Sequence, residues 1–154
     1  VGPVAKVDPD ALPQRKNLHW LGGRKYQELP NYLKGFDACL MPFALNEATE
    51  YINPTKALEY MAAGRPIVST AVPDVVSNFS RIVRVAQSHD QFIELCHQAI
   101  VSPDRELITC GLDMAAANTW ECIVARLEEH VREALKRKAS HRTPVMENTA
   151  VAVG

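Results

Sequence analysis

The chain carries almost no surplus charge: 17 Lys and Arg stand against 18 Asp and Glu, for a net charge of −1. That balance offers no electrostatic argument for nucleic acid or an acidic membrane as the main partner. Long hydrophobic runs are missing too. Nothing approaches the roughly 20 apolar residues of a membrane span, and the first residues lack the charged and apolar regions of a signal peptide. Peripheral attachment to a membrane is left open. Cysteine is sparse and unpaired in pattern. Cys39, Cys96, Cys110 and Cys122 form no Cys-x-x-Cys pair, and their spacing fits neither a zinc site nor a disulfide scaffold. Each lies in an apolar strand or helix context, where cysteine acts as a small hydrophobe. A reduced, cytoplasmic setting is therefore expected.

The five histidines lack metal-ligand spacing. His19 adjoins a strand tryptophan and reads as structural, and His97 and His130 lie on amphipathic helices. His89 falls in a cap and His141 in the tail. No Asp-x-Asp pair sits in a strand-end loop, and no general base stands out.

What is present is an ordinary soluble domain. The chain has 154 residues, with 47% hydrophobic and 23% charged content, enough for one domain with a real core. Strand and helix signals alternate, the pattern of a parallel α/β sheet. Strands are expected at Val1–Val4 (the tail of one), Leu18–Leu21, Ala38–Phe43, Ile67–Thr70 and Ile82–Ala86. Leu29, Tyr32, Leu33 and Phe36 recur at helical spacing. Ser88 and Gln91 form a capping box before a helix with Phe92, Leu95, Cys96 and Ala99 on one face. Ser102-Pro103 starts another, with Leu107, Cys110 and Met114 inward. Thr119 caps the last helix, whose stripe is Trp120, Ile123, Val124, Leu127 and Val131. One domain is expected over residues 1–138, followed by a disordered tail over 139–154.

The densest signal runs from Asn53 to Thr70. Asn53 is a good helix cap, and Pro54 suits a first helical position, where no amide donor is needed. Gly64 stops the helix and Pro66 prevents its continuation. At 100° per residue, Ala57, Leu58, Met61 and Ala62 share the face that packs on a sheet. Lys56, Glu59, Tyr60 and Ala63 share the other. An anion at the helix start would meet free amides and the Lys56 ammonium together. Glu59, one turn deeper, accepts hydrogen bonds only, as a ribose diol requires. Asp74, after the following strand, reads as a helix cap. Against this stands the plain reading that Lys56 and Glu59, three apart, form a common exposed ion pair.

The series Asn-Pro-x-Lys-x-x-Glu-Tyr-x-Ala-x-Gly-x-Pro-Ile-Val, from Asn53 to Val68, resembles the donor-binding segment of GT-B-fold glycosyltransferases of group 1, family 4-like. Tyr26–Leu33 and Phe36–Phe43 upstream, and Val72–Val76 and Thr119–Glu121 downstream, extend the likeness over residues 1–138. The resemblance implies the C-terminal, donor-binding domain: a Rossmann-like parallel sheet with flanking helices. Lys56 and Thr55 would meet the donor pyrophosphate and Glu59 the ribose. Asn46 and Glu47 would lie near the donor sugar, and Gly23 and Arg24 near the nucleobase. Many members carry a further glutamate eight residues before the retained one; here that place holds Tyr51.

The function so implied is transfer of a sugar from a nucleotide-diphosphate donor to a glycan or lipid-linked acceptor, in polysaccharide biosynthesis. No metal or cofactor is expected. The acceptor would be held through a further domain preceding the chain. The domain would also need an earlier strand and helix before Val1, so the chain is expected to be part of a longer enzyme. Alone it should be poorly stable, or rearrange its strand pairing. Two other readings remain: a GT-B-fold sugar-nucleotide epimerase and a non-catalytic α/β binding module.

Overall fold

The computed structural model describes residues 1–5 and 7–140. The chain divides into two units, Val1–Ala116 and Ala117–Gly154.

The first unit is α/β. Three parallel strands lie in the order β1-β2-β3: β1 (Cys39–Met41), β2 (Ile67–Thr70) and β3 (Arg84–Ala86). Cys39 pairs with Ile67 and Val68 with Arg84. The helices are α1 (Leu29–Lys34), α2 (Lys56–Ala62), α3 (Pro73–Phe79), α4 (His89–Val101) and α5 (Arg105–Ala116). The expected parallel sheet with flanking helices is therefore the fold found.

The sheet's central strand occupies the residues expected. Ile67, Val68 and Ser69 are buried, so β2 is apolar on both faces, as a central parallel strand must be. Ser69 is tolerated inside because its hydroxyl reaches the Met41 carbonyl at 3.2 Å and the Thr70 carbonyl at 2.9 Å. Thr70 Oγ1 donates to the Phe43 carbonyl at 2.8 Å and so ties the end of β2 to the chain leaving β1. The core gathers Met41, Ala57, Met61, Ile67, Val72, Val75, Ile82 and Val83. α5 packs against α2, and α4 lies along β2 and β3.

Several elements differ from expectation. Neither Val1–Val4 nor Leu18–Leu21 forms a strand. A strand exists only through a ladder with a neighbour, and one backbone bond, Gly2 N to the Gly22 carbonyl at 2.9 Å, joins these segments. The outer edge of β1 likewise has no strand beside it among the described residues. Asn53 does not cap α2: the helix begins at Lys56 with Thr55 at its cap position. A tight turn, Thr55 N to the Asn53 carbonyl, intervenes and buries Pro54. Of the four residues expected on the core face of α2, Ala57 and Met61 are buried and Leu58 packs against the core, whereas Ala62 is exposed.

Further along, Asp74 lies inside the first turn of α3, with Val72 at the cap. The Ser88 hydroxyl does accept from Gln91 N, but the Gln91 side chain returns to Gln87 N rather than to Ser88. α5 is capped by Asp104, whose carboxylate accepts from Glu106 N and Leu107 N; Ser102 and Pro103 precede that cap. Cys110 is exposed, and Gly111 is buried in its place against Ile82 and Met61. The cysteines therefore do not share one environment. Cys39 is buried and Cys96 half-buried, whereas Cys110 and Cys122 are exposed; all four are free thiols.

The second unit is described through α6 (Trp120–Ser140). The Thr119 hydroxyl accepts from Cys122 N at 3.3 Å and caps the helix as expected. Arg132 pairs with Glu128 and Glu129, and Arg137 with Glu133, along one exposed side. The helix takes in residues 139 and 140; the remainder of the expected tail, with His141, lies outside the described residues. No described helix is long and apolar enough to cross a membrane.

Candidate functional site

α2 brings the two singled-out side chains to one place. Lys56 and Glu59 lie one turn apart, and Tyr60 follows on the same side. All three line a cavity of about 330 Å³, at the lower end of the range for small-molecule sites. Its far wall is α1, through Leu29, Tyr32 and Leu33. Gly23 and Arg24, from the turn before α1, complete the lining, together with Phe36 and residues 1–3. The cavity thus joins four residues to which the family resemblance assigns three separate roles.

The polar groups in it are already engaged with one another. Lys56 Nζ lies 2.7 Å from Glu59 Oε2. The Lys56 side chain remains half exposed and that of Glu59 about one-third exposed, at 51% and 31%. An ion pair so accessible to water contributes little stability, roughly 0–1 kcal/mol, so a ligand with its own charges could exchange partners with it at small cost. Arg24 Nε donates to the Tyr32 hydroxyl at 2.6 Å. Burial pushes the Tyr60 phenol above its ordinary value, with Cys39 adding to the effect, so Tyr60 is a neutral lining group at physiological pH.

Not every expected residue joins this cavity. Thr55 occupies the cap position of α2, and its side chain makes no capping bond. It does not line the cavity. Asn46 and Glu47 belong to a separate 3-10 turn, Glu47–Thr49, and are likewise outside it. The Asn46 side chain accepts from Ala48 N at 3.1 Å, and Asn46 N donates to Thr49 Oγ1 at 3.2 Å. Asn46 is thereby committed to its own turn.

The sequence reading had no role for Tyr32 at this site. Tyr32 shows in sequence only as one member of the α1 apolar stripe, and its contact with Arg24 spans eight positions. The one polar tip on an otherwise apolar stripe is the available signal, since a phenol in such a place needs a polar partner. A second cavity, of about 390 Å³, lies on the other side of Glu59 and is lined by Tyr26, Pro30, Lys34, Ala62 and Ala63, with Leu29 and Leu33 shared between the two. Among the described residues, no group of three or more His, Cys, Asp or Glu gathers as a metal site.

A parallel three-stranded sheet with flanking helices is consistent with the C-terminal domain of GT-B glycosyltransferases. The profile of the family "Glycosyl transferases group 1" matches residues 2–102, well over half of the chain. The chain belongs to that family. It is also similar to TuaH of Bacillus subtilis (strain 168), named as a teichuronic acid biosynthesis glycosyltransferase. The two are 25% identical over 137 residues, which cover 84% of this chain and 34% of TuaH. The chain therefore spans about a third of that relative's length. No solved structure matches the chain.

Proposed function

We propose that this domain binds the donor of a glycosyl transfer, a nucleotide-diphosphate sugar, in the cavity between α1 and α2. Lys56 contacts the diphosphate, Glu59 holds the ribose hydroxyls, and the Gly23-Arg24 turn meets the base. The observation that carries this reading is the sharing of one cavity by Lys56, Glu59, Gly23 and Arg24. A cation, an acceptor-only carboxylate and a donor-bearing turn around one space match, in kind, the three parts of a nucleoside diphosphate.

The chemical task that follows is stabilisation of the leaving group. As the bond between the sugar and the β-phosphate lengthens, negative charge grows on the diphosphate. The Lys56 ammonium would be aimed at that charge. To reach it, the ammonium exchanges the Glu59 carboxylate for phosphate oxygens, and Glu59 exchanges the ammonium for ribose hydroxyls. A donor thus replaces one weak internal pair with two sets of charge-assisted bonds. Thr55, at the cap beside Lys56, is the nearest further candidate for the diphosphate. Asn46 and Glu47 are candidates for the donor sugar from outside the cavity.

The acceptor in this proposal is a glycan or lipid-linked sugar of an envelope polysaccharide, held with the help of a further domain. Support for that part comes from the process named for the Bacillus relative. The test is calorimetric titration of the intact protein with UDP, GDP, dTDP and ADP, followed by product analysis with a labelled sugar donor. Binding of a nucleoside diphosphate and movement of label to an acceptor are expected. Label retained in an isomeric nucleotide sugar would instead mark an epimerase. Absence of any nucleotide binding would mark a non-catalytic module.

A further inference from the structure

We infer that the cavity discriminates among nucleotides through the Arg24 guanidinium, taking keto bases (guanine, uracil and thymine) in preference to the amino bases adenine and cytosine. The inference rests on the donor site proposed above and names the substrate class within it.

Arg24 is exposed, yet its guanidinium is held at two points. Nε donates to the Tyr32 hydroxyl at 2.6 Å, and Nη1 donates to the Gly23 carbonyl at 3.3 Å. The guanidinium carbon also lies 5.8 Å from the centre of the Tyr32 ring, within range of a cation–π contact. Tyr32 is itself half-buried on α1. The planar fork is thus oriented before any ligand arrives, in the lining of the cavity.

A guanidinium carries five N–H donors and no acceptor. Two of them are used by Tyr32 and Gly23, and the other three meet no acceptor among the described residues. The Tyr32 oxygen accepts from Arg24 and keeps its own proton to give. This end of the cavity therefore presents donors. Glu59, an acceptor, is one of the pair on α2, where the ribose is placed.

Bases differ in what they return to such a wall. Guanine offers O6 and N7 side by side, the pair that an arginine fork meets with two parallel bonds. Uracil and thymine offer a keto oxygen at position 4. Adenine keeps N7 but carries an amine at position 6, and cytosine carries one at position 4, so at that one place N–H would face N–H. Each acceptor that a base lacks at this wall removes one charge-assisted bond to the fork, and that difference separates the two classes.

The test is titration of the intact protein with GDP against ADP and with UDP against CDP. The keto member of each pair should bind about tenfold more tightly or better. Arg24→Gln supplies both a donor and an acceptor, and should bring both ratios close to one. Tyr32→Phe releases the guanidinium and should narrow the ratios part of the way. Equal binding within each pair by the unmodified protein, with Lys56→Ala still weakening all four ligands, overturns the base assignment and leaves the donor site standing. No binding by any of the four overturns both.

Discussion

The Lys56 ammonium sits 2.7 Å from a carboxylate oxygen of Glu59, one helical turn along α2, and both side chains face one cavity. The plain and the functional readings of this pair are therefore not exclusive. The two residues form an exposed ion pair in the unliganded domain, and they are also the charged lining of a cavity. An isolated pair of this kind is worth little. Its placement opposite α1 and the Gly23-Arg24 turn is what the proposed donor site rests on.

Gly64 decides where α2 ends. Its φ is +63°, in the left-handed region that side chains with a Cβ disfavour. Gly64→Ala should lower stability by about 1–2 kcal/mol, although a Cβ there would meet Leu112 and Ile108 only at ordinary distances, 3.8 Å and beyond. Urea denaturation checks it. An unchanged midpoint would mean that the helix end relaxes without strain.

Gly111 lets α5 approach α2. A Cβ at this position would stand 3.3 Å from Ile82 Cγ2 and from Met61 Cγ, and 3.5 Å from Met61 Cβ. Gly111→Val adds branched bulk to that contact and should destabilise by roughly 1–3 kcal/mol, the usual cost of overpacking. The thermal midpoint should fall. Because Met61 lies on the buried side of α2, opposite the cavity, donor affinity per folded molecule should change less than stability does.

These two glycines show where sequence legibility stops. Gly64 was readable, because a glycine followed by Pro66 after an apolar helix is a local stop signal. Ile67–Thr70 was readable for a related reason: a short β-branched run with turn signals on both sides has few alternatives. Gly111 was not. The stripe Leu107, Cys110 and Met114 has good helical spacing, yet α5 is turned so that Gly111 faces inward and Cys110 outward. That rotation is set by the need for two helices to approach closely, a tertiary demand with no local signature except the glycine itself. The Asn53 cap failed for a similar reason. Asparagine before proline suits both a cap and a turn, and burial of Pro54 selected the turn. At the site, the α2 face was legible from its period, whereas the α1 wall opposite it required the folded chain.

Cys39 supplies a prediction about pH. Burial raises its thiol from 9.0 to about 11, a shift that nearby Arg65 only partly offsets. Its folded value lies above its unfolded one, so the native state holds the proton more tightly. The associated stability is complete below about pH 9 and is lost as pH rises towards 11. Denaturation midpoints should accordingly decline across that window, and the decline should shrink in Cys39→Ala. At pH 8, iodoacetamide should modify exposed Cys110 and Cys122 and spare Cys39 until the protein unfolds. Early labelling of Cys39 would contradict its burial in β1.

The most direct test separates the two halves of the proposed grip. UDP and uridine are titrated into the intact protein and into its Lys56→Ala and Glu59→Ala variants. Lys56→Ala should weaken UDP by ~1.5–3 kcal/mol, the worth of a charge-assisted hydrogen bond, and leave uridine nearly unchanged. Glu59→Ala should weaken both ligands, since both carry the ribose. UDP binding that is the same in the unmodified protein and in both variants would contradict the account and reduce the pair to an ordinary ion pair on the surface of α2.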